Sequence, residues 1–264
     1  MASVISSNNS ICQLLNAPHR SCCLSVPPNI IHYPDPSIYD QQLVFVEGGA
    51  PTFNSPDIDT IDLWPPHPID NLTATVRNLS SDASASQTRL DWSWSPWGIG
   101  LVRQPIASTF VNLARAGFPG SEQTVALPLP PALNAAGRYG IFISLVQPFD
   151  SNTTNNRGEQ TLDGFQTSQG RSKTFVVPVR NPTSGVSTIQ LSAGPADVAA
   201  WTVIAPSTLT LAAGAQQNVM VSIAVPTDIP PSPPGTLISA TVDVLATAGG
   251  AYLGGISIAI LFDA

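Results

Sequence analysis

Asp57, Asp59 and Asp62, with Asp70 close behind, supply carboxylate oxygens of the kind that hold Ca²⁺, a hard cation that takes carboxylates and carbonyls. The i, i+2 spacing of Asp57 and Asp59 places both on one face of an extended segment. The loop has neither the glycine nor the closing glutamate of an EF-hand, so a calcium site and an acidic solvent face both fit these residues. A second acidic and amide-rich stretch runs from Asp150 to Asn156 and reads as a hairpin-like turn, because Asn and Asp tolerate left-handed dihedrals.

Aromatic side chains offer a different chemistry, the stacking of a sugar ring beside polar groups. Trp92 and Trp94 fall on the face of Leu90 in an alternating run, which assigns them to a core. Trp97 follows Pro96 and precedes Gly98, so it is expected at the surface, and with Trp64 it forms the candidate platform for polysaccharide.

Catalysis has little to work with. The histidines are His19, His32 and His67, and no nucleophile elbow, H-E-x-x-H, P-loop or G-x-G-x-x-G context surrounds them. His67 lies in a proline-flanked loop near Asp57 and Asp59, which leaves a hydrolase as a remote alternative. No catalytic residue is assigned, and the chain is read as a non-enzyme. Cys12, Cys22 and Cys23 precede a body without cysteine, so that body owes nothing to disulfides. Their odd number leaves a thiol for an intermolecular disulfide. The spacing C-x9-C-C, even with His19 between, matches no common zinc pattern.

The elements that must position these groups are short strands. Residues 43–46, 72–77, 90–94, 140–146 and 174–177 are apolar or alternating runs that end at Gly, Pro or Asn. The same grammar repeats more cleanly at 186–191, 202–204, 209–211, 219–225, 237–246 and 255–262, with no helix expected. Strands at this spacing suggest an all-β chain of two tandem immunoglobulin-like β-sandwich domains. The expected divisions are an irregular N-terminal arm over 1–37, a first sandwich over 38–178 and a second over 179–264. The link near 179 is so short that the two sandwiches are expected to stack end to end with limited freedom.

Composition narrows the partners. Charged residues make up 10% of the 264, where about a quarter is usual, and proline reaches 26 residues. A net charge of −7 with Lys173 as the single lysine argues against a nucleic-acid surface. At 43% hydrophobic the chain is too apolar to be disordered. No run of apolar residues is long enough for a membrane helix, so no membrane span is expected. No secretory signal is visible at the N-terminus. Four N-x-S/T triplets, headed by Asn8, Asn71, Asn78 and Asn152, are about what chance gives in so Asn-, Ser- and Thr-rich a chain.

Ser55-Pro56-Asp57-Ile58, the run Thr73-Ala74-Thr75-Val76-Arg77-Asn78 and Asn155-Asn156-Arg157-Gly158-Glu159-Gln160 give the first half phrases of a known kind. On these residues it resembles the CARDB type of bacterial cell-adhesion-related sandwich. The second half is similar to the immunoglobulin-like modules appended to secreted bacterial proteins, through Asn181-Pro182, Trp201, the run Leu209-Thr210-Leu211-Ala212-Ala213-Gly214, Val225-Pro226 and Pro234-Gly235-Thr236. The resemblance implies non-catalytic modules that adhere, space or assemble, in an extracellular or surface-associated setting. The expected partners are therefore copies of the chain or other protein subunits, with polysaccharide as the alternative. Within the arm, Ile11, Leu14, Leu15, Ile30 and Ile31 are the apolar residues suited to adding to a neighbour's sheet.

Overall fold

Alternating apolar and polar residues, punctuated by proline and glycine, form strands almost throughout the computed structural model, which describes residues 32–60, 71–133, 138–230, 233 and 236–263. The chain is all-β apart from short helical turns. The arm residues Ile11, Cys12, Leu14, Leu15, Cys22, Cys23, Ile30 and Ile31 lie outside the described residues, as do Asp62, Trp64 and His67. Residues His32–Ala264 make one compact unit.

The first pair of sheets is organised around β3 (Asn71–Asn78) and β4 (Ala85–Pro96). Strand β3 is antiparallel to β1 (Pro36–Ser37) and β2 (Ile58–Asp59) along one edge and to β6 (Glu122–Pro128) along the other. Strand β4 lies between β5 (Gln104–Leu113) and β7 (Tyr139–Val146), and β8 (Arg157–Gln160) completes that sheet beyond β7. Period-two alternation turns Leu72, Ala74 and Val76 of β3 inward, where they share a core with Leu90 and Trp92 of β4 and with Ile141, Ile143 and Leu145 of β7.

The second pair has a three-stranded sheet in the order β10 (Ser172–Arg180), β14 (Gln216–Ala224), β12 (Thr202–Ala205). Opposite it are β13 (Thr208–Leu211), β11 (Ser187–Gly194), β15 (Ile238–Ala248), β16 (Ala251–Asp263) and β9 (Leu162–Ser168), the last parallel to β16. Phe175, Val177 and Val179 of β10 meet Val242 and Val244 of β15 and Ile256, Ile258, Ile260 and Phe262 of β16 in the larger core.

Several expectations are corrected. Residues 43–46 are not a strand but part of α1 (Gln41–Val46), because the Asp40 carboxylate accepts a hydrogen bond from the Leu43 amide and caps the helix start. A one-turn helix, α2 (Ala196–Ala199), occurs where none was expected. Residues 36–37 pair with β3, so the first sheet starts inside the stretch read as arm. The division expected after 178 falls within β10, which pairs with β14 along its whole length. Strands β5 and β6 were not anticipated, since their residues show no clean alternation.

The two sheet pairs meet through backbone. Ile99 forms a parallel bridge to Val179, with the Ile99 amide donating to the Pro178 carbonyl at 3.0 Å and the Arg180 amide donating to the Ile99 carbonyl at 2.9 Å. Gly100 has φ +68°, and a side chain there would run into the Arg180 carbonyl oxygen. Gly100→Ala is therefore expected to cost about 1–3 kcal/mol in urea unfolding. Gly185→Ala, which opens into empty space, is expected to stay within about 0.5 kcal/mol.

Candidate functional site

The densest polar constellation lies where β8 passes into β9. Thr161 is the one residue between them, and its amide donates to the Phe53 carbonyl at 2.9 Å while its hydroxyl donates to the Gly255 carbonyl at 2.9 Å. Its own carbonyl accepts from the Ser257 amide at 2.9 Å and from the Trp97 indole at 3.3 Å. Phe53 is fully buried on Gly255, where a side chain would overlap its ring. The Phe53 amide donates to the Ser257 hydroxyl at 3.0 Å and to Asp243 Oδ1 at 3.1 Å, and the Ser257 hydroxyl in turn donates to Asp243. Thr52 adds a further hydroxyl to the same carboxylate at 3.1 Å.

Glu159, at the end of the first sheet pair, is held from two elements and from the segment before β5. Gln41 of α1 grips its backbone at both ends: the side-chain amide nitrogen donates to the Glu159 carbonyl, and the Glu159 amide donates to Gln41 Oε1 at 3.1 Å. Tyr252 of β16 donates its hydroxyl to Glu159 Oε1 at 2.6 Å, and Arg103 reaches Oε2 at 3.3 Å while lying 3.8 Å over the Phe142 ring. A third acid, Asp163 of β9, faces the Arg138 guanidinium at 2.8 Å. Arg138 also stands 5.6 Å from the Trp97 ring centre and 5.4 Å from that of Phe175, so one cation serves both an acid and two rings.

Desolvation dominates the acids. Burial pushes the Glu159 carboxyl above its ordinary value, with Arg103 and the Tyr252 hydroxyl pulling the other way. Burial likewise raises Asp163, against the Gly164 amide and Arg138, and Asp243, against Ser257 and the Phe53 amide. Burial and the neighbouring Glu159 charge drive Tyr252 well above the usual phenol range, so its hydroxyl stays a donor. These groups are engaged with one another and with backbone; their chemistry is to fix the join. An open groove of about 290 Å³ lies beside α1 and is lined by residues including Asp40, Leu43, Val46 and Arg157, without Glu159, Asp163 or Asp243.

Of the residues singled out from the sequence, the described ones are not brought together. Asp57 is buried, with Arg77 Nη1 at 2.6 Å on one oxygen and the Tyr39 amide at 2.7 Å on the other, whereas Asp59 is exposed on β2. The expected common face fails because Asp57 precedes the two-residue strand rather than lying within it. No group of three or more His, Cys, Asp or Glu side chains is arranged to hold a metal among the described residues. Trp97 is not exposed but 4% accessible, in the larger core, because Gly98-Ile99-Gly100 carries it against β10. Trp92 is buried and donates to the Thr109 hydroxyl at 2.8 Å; Trp94 is half-buried and stands edge-on to Tyr139 at 5.4 Å. Sequence reasoning missed Glu159, Tyr252, Asp243 and Thr161. The W-G-I-G tetrad at 97–100, with two glycines flanking one apolar residue, was the local sign of a close backbone approach.

Two outcomes follow from this geometry. Trp97→Ala is expected to destabilise the fold by about 3–5 kcal/mol in chemical denaturation, since it empties a core site rather than a surface. Acids raised in the folded state bind protons more readily than the unfolded chain, in a window that opens at the ordinary carboxylate values of 3.8 and 4.5 and extends upward. Their contribution is full below that window and is lost as pH rises through it. The thermal midpoint should accordingly fall as pH rises above the ordinary carboxylate values, and Glu159→Gln should flatten that fall in a pH series of melting curves.

No family model and no curated protein matches the chain. Among solved structures it is similar to Escherichia coli alpha-2-macroglobulin activated by porcine elastase, with 11% identity and a TM-score of 0.25 over 75% of this chain. That match spans 21% of the macroglobulin chain, about a fifth of its length. It is also similar to a protein of unknown function from Porphyromonas gingivalis W83, with 9% identity and a TM-score of 0.27 over 74% of this chain and 92% of that one. Likenesses this distant carry no argument about fold or activity.

Proposed function

We propose that the chain is a non-catalytic structural or interaction protein, two tandem immunoglobulin-like β-sandwiches that self-assemble or decorate a larger assembly through their sheet edges. The observation that carries the reading is β5. It is an edge strand of 10 residues, Gln104–Leu113, with no charged side chain, and among the described residues its sheet pairing is with β4 alone. Phe110 on it is 60% exposed. Edges of monomeric sheets are ordinarily blunted by charge, proline or bulges; β5 has one proline and a register shift near its start, between Pro105 and Ala107, and beyond them, over 107–111, it carries no charge against a further strand. The apolar residues around Ile11, Leu14 and Leu15, or around Ile30 and Ile31, have the composition to supply such a strand from a neighbouring copy. The alternative, polysaccharide binding by exposed tryptophan, loses Trp97 to the core.

Phe110→Lys places a charge on the edge at an exposed position. It is expected to raise the dissociation constant for self-association about tenfold or more in concentration-dependent light scattering. Folding stability should change by no more than about 0.5 kcal/mol. Removing residues 1–31, which keeps β1, should also reduce association. A wild-type chain that remains a monomer at every concentration, or particles that survive both changes, would overturn the proposal.

A further inference from the structure

Four segments close the end of the first sheet pair that lies away from Thr161: the chain before β1 and the loops between β3 and β4, between β5 and β6 and between β7 and β8. Buried Asn78 ties three of them together. Its amide donates to the Ser121 carbonyl at 2.8 Å, and its side-chain nitrogen donates to the carbonyls of Ala83 at 2.7 Å and Ala114 at 3.0 Å. Its Oδ1 accepts from the Asp35 amide at 3.0 Å. The fourth segment is held by Ser151, whose amide and hydroxyl donate to the Pro34 carbonyl at 2.9 and 3.1 Å. These loops are therefore fixed in place before anything meets them, which lowers the ordering cost of a contact.

Each of the four segments holds a large apolar side chain in solvent. Tyr33 is 46% exposed, Leu79 54%, Phe118 48% and Phe149 66%. Among the described residues Phe110 on β5 is the one other Phe or Tyr so exposed. Apolar residues scattered singly over a surface need no explanation, but here they gather on separate loops at one end, with Ser, Asn and Thr between them. Rigid aromatic anchors among short polar residues are the composition of loops that bind protein.

We propose that this loop end docks on the same end of a second copy of the chain about a two-fold axis. Charge favours that occupant. The Arg115 guanidinium lies 4.0 Å over the Phe118 ring, and the Ala116 amide donates to the Ser80 carbonyl at 2.7 Å, so the cation stands on a loop adjoining that of exposed Asp82, which His32 reaches at 3.4 Å. A two-fold contact is reciprocal, so Arg115 of each copy can meet Asp82 of the other and both pairs form at once. Asp35, Asp82 and Asp150 outnumber Arg115 on these segments, which disfavours an anionic lipid surface. Area agrees. The four apolar side chains each leave on the order of 100 Å² to cover, so two copies bury roughly 800 Å² through them alone, and the polar rim brings this toward the ~1,200 Å² at which specific contacts begin.

The contact rests on the self-assembly reading but not on β5, so the test uses the full-length Phe110→Lys chain, whose edge is blocked. Sedimentation velocity under reductant, which keeps Cys12, Cys22 and Cys23 out of the result, should show a dimer by about 0.1 mM. Adding Phe118→Asp and Phe149→Asp should raise its dissociation constant at least about tenfold with the thermal midpoint unchanged, because both side chains stand in solvent. Arg115→Glu should weaken the dimer about fivefold, and Asp82→Arg added to it should restore the affinity. A Phe110→Lys monomer beside a wild type that associates would overturn the end contact alone, whereas a wild-type monomer would overturn it together with the edge. A dimer that survives Phe118→Asp with Phe149→Asp, or a charge exchange without recovery, would also overturn it. Sedimentation of the chain with phosphatidylcholine vesicles, abolished by the same two aspartates, would overturn it by giving the loops to a lipid surface.

Discussion

Thr161 is the constraint on which the arrangement of the two sheet pairs depends. One residue separates β8 of the first pair from β9 of the second, and its amide, hydroxyl and carbonyl all bond to other segments at the join. A link this short leaves the chain no freedom to choose where β9 goes. It must leave the edge of one sheet and enter the edge of the other directly, and it does so alongside β16 in parallel, the one parallel pairing between named strands. The Ile99 bridge to β10 then fixes a second point some sixty residues earlier in the chain, and Phe53 on Gly255 a third. Three contacts from distant parts of the sequence over-determine the join. Hinge motion between the sheet pairs would break buried hydrogen bonds at all of them, which is why two cores behave as parts of one unit.

The price of that rigidity is paid in desolvated charge. Glu159, Asp163 and Asp243 are all raised by burial, and each has a partner from across the join beside nearer ones: Tyr252 with Arg103, Arg138 with the Gly164 amide, and Phe53 and Thr52 with Ser257. Replacing such groups by well-packed apolar side chains is often neutral or stabilising in general. What an apolar patch would not supply is direction. A hydrophobic contact tolerates sliding and rotation, whereas a carboxylate that accepts from the Phe53 amide and from Thr52 and Ser257 hydroxyls is satisfied in one register only.

Much of the strand layout was legible because it is written in local alternation. The second half was read nearly strand for strand, since β11 through β16 are separated by glycine and proline at regular spacing. Errors arose where a distant partner outweighs the local pattern. Val44, Phe45 and Val46 have the side chains of a strand, yet the Asp40 cap and the Gln41 grip on Glu159 hold them in a helix. Trp97 looked exposed because Pro96 and Gly98 flank it; the reason it is buried, a bridge to residues 178–180, is eighty positions away. Strand β10 was given to the wrong sheet pair for the same reason, as nothing in Thr174 or Val177 announces that the partner is β14 rather than β8. The acids of the join were invisible, since a lone Glu or Asp in a polar stretch shows its burial only when the fold closes around it.

The placement of charge also connects the join to the outer surface. A chain with 10 Lys and Arg and 17 Asp and Glu has few charges to distribute, and the fold draws several of them inward: Asp40, Asp57, Glu159 and Asp163 are buried, and Arg77, Arg103 and Arg138 turn toward buried acids. The outward surface is correspondingly depleted. Along β5 the residues are Gln, Pro, Ile, Ala, Ser, Thr, Phe, Val, Asn and Leu, none of which is charged. On the outer face of the β10–β14–β12 sheet, Val176, Met220 and Ala205 stand in one cross-strand row, with Val203 exposed beside it. The same scarcity of charge that makes each internal acid count leaves β5, unlike the edge strands β10 and β8, without a charged gatekeeper. Rigidity inside and an unguarded edge outside are therefore two consequences of one compositional fact, and together they suit a subunit whose contacts must repeat identically from copy to copy.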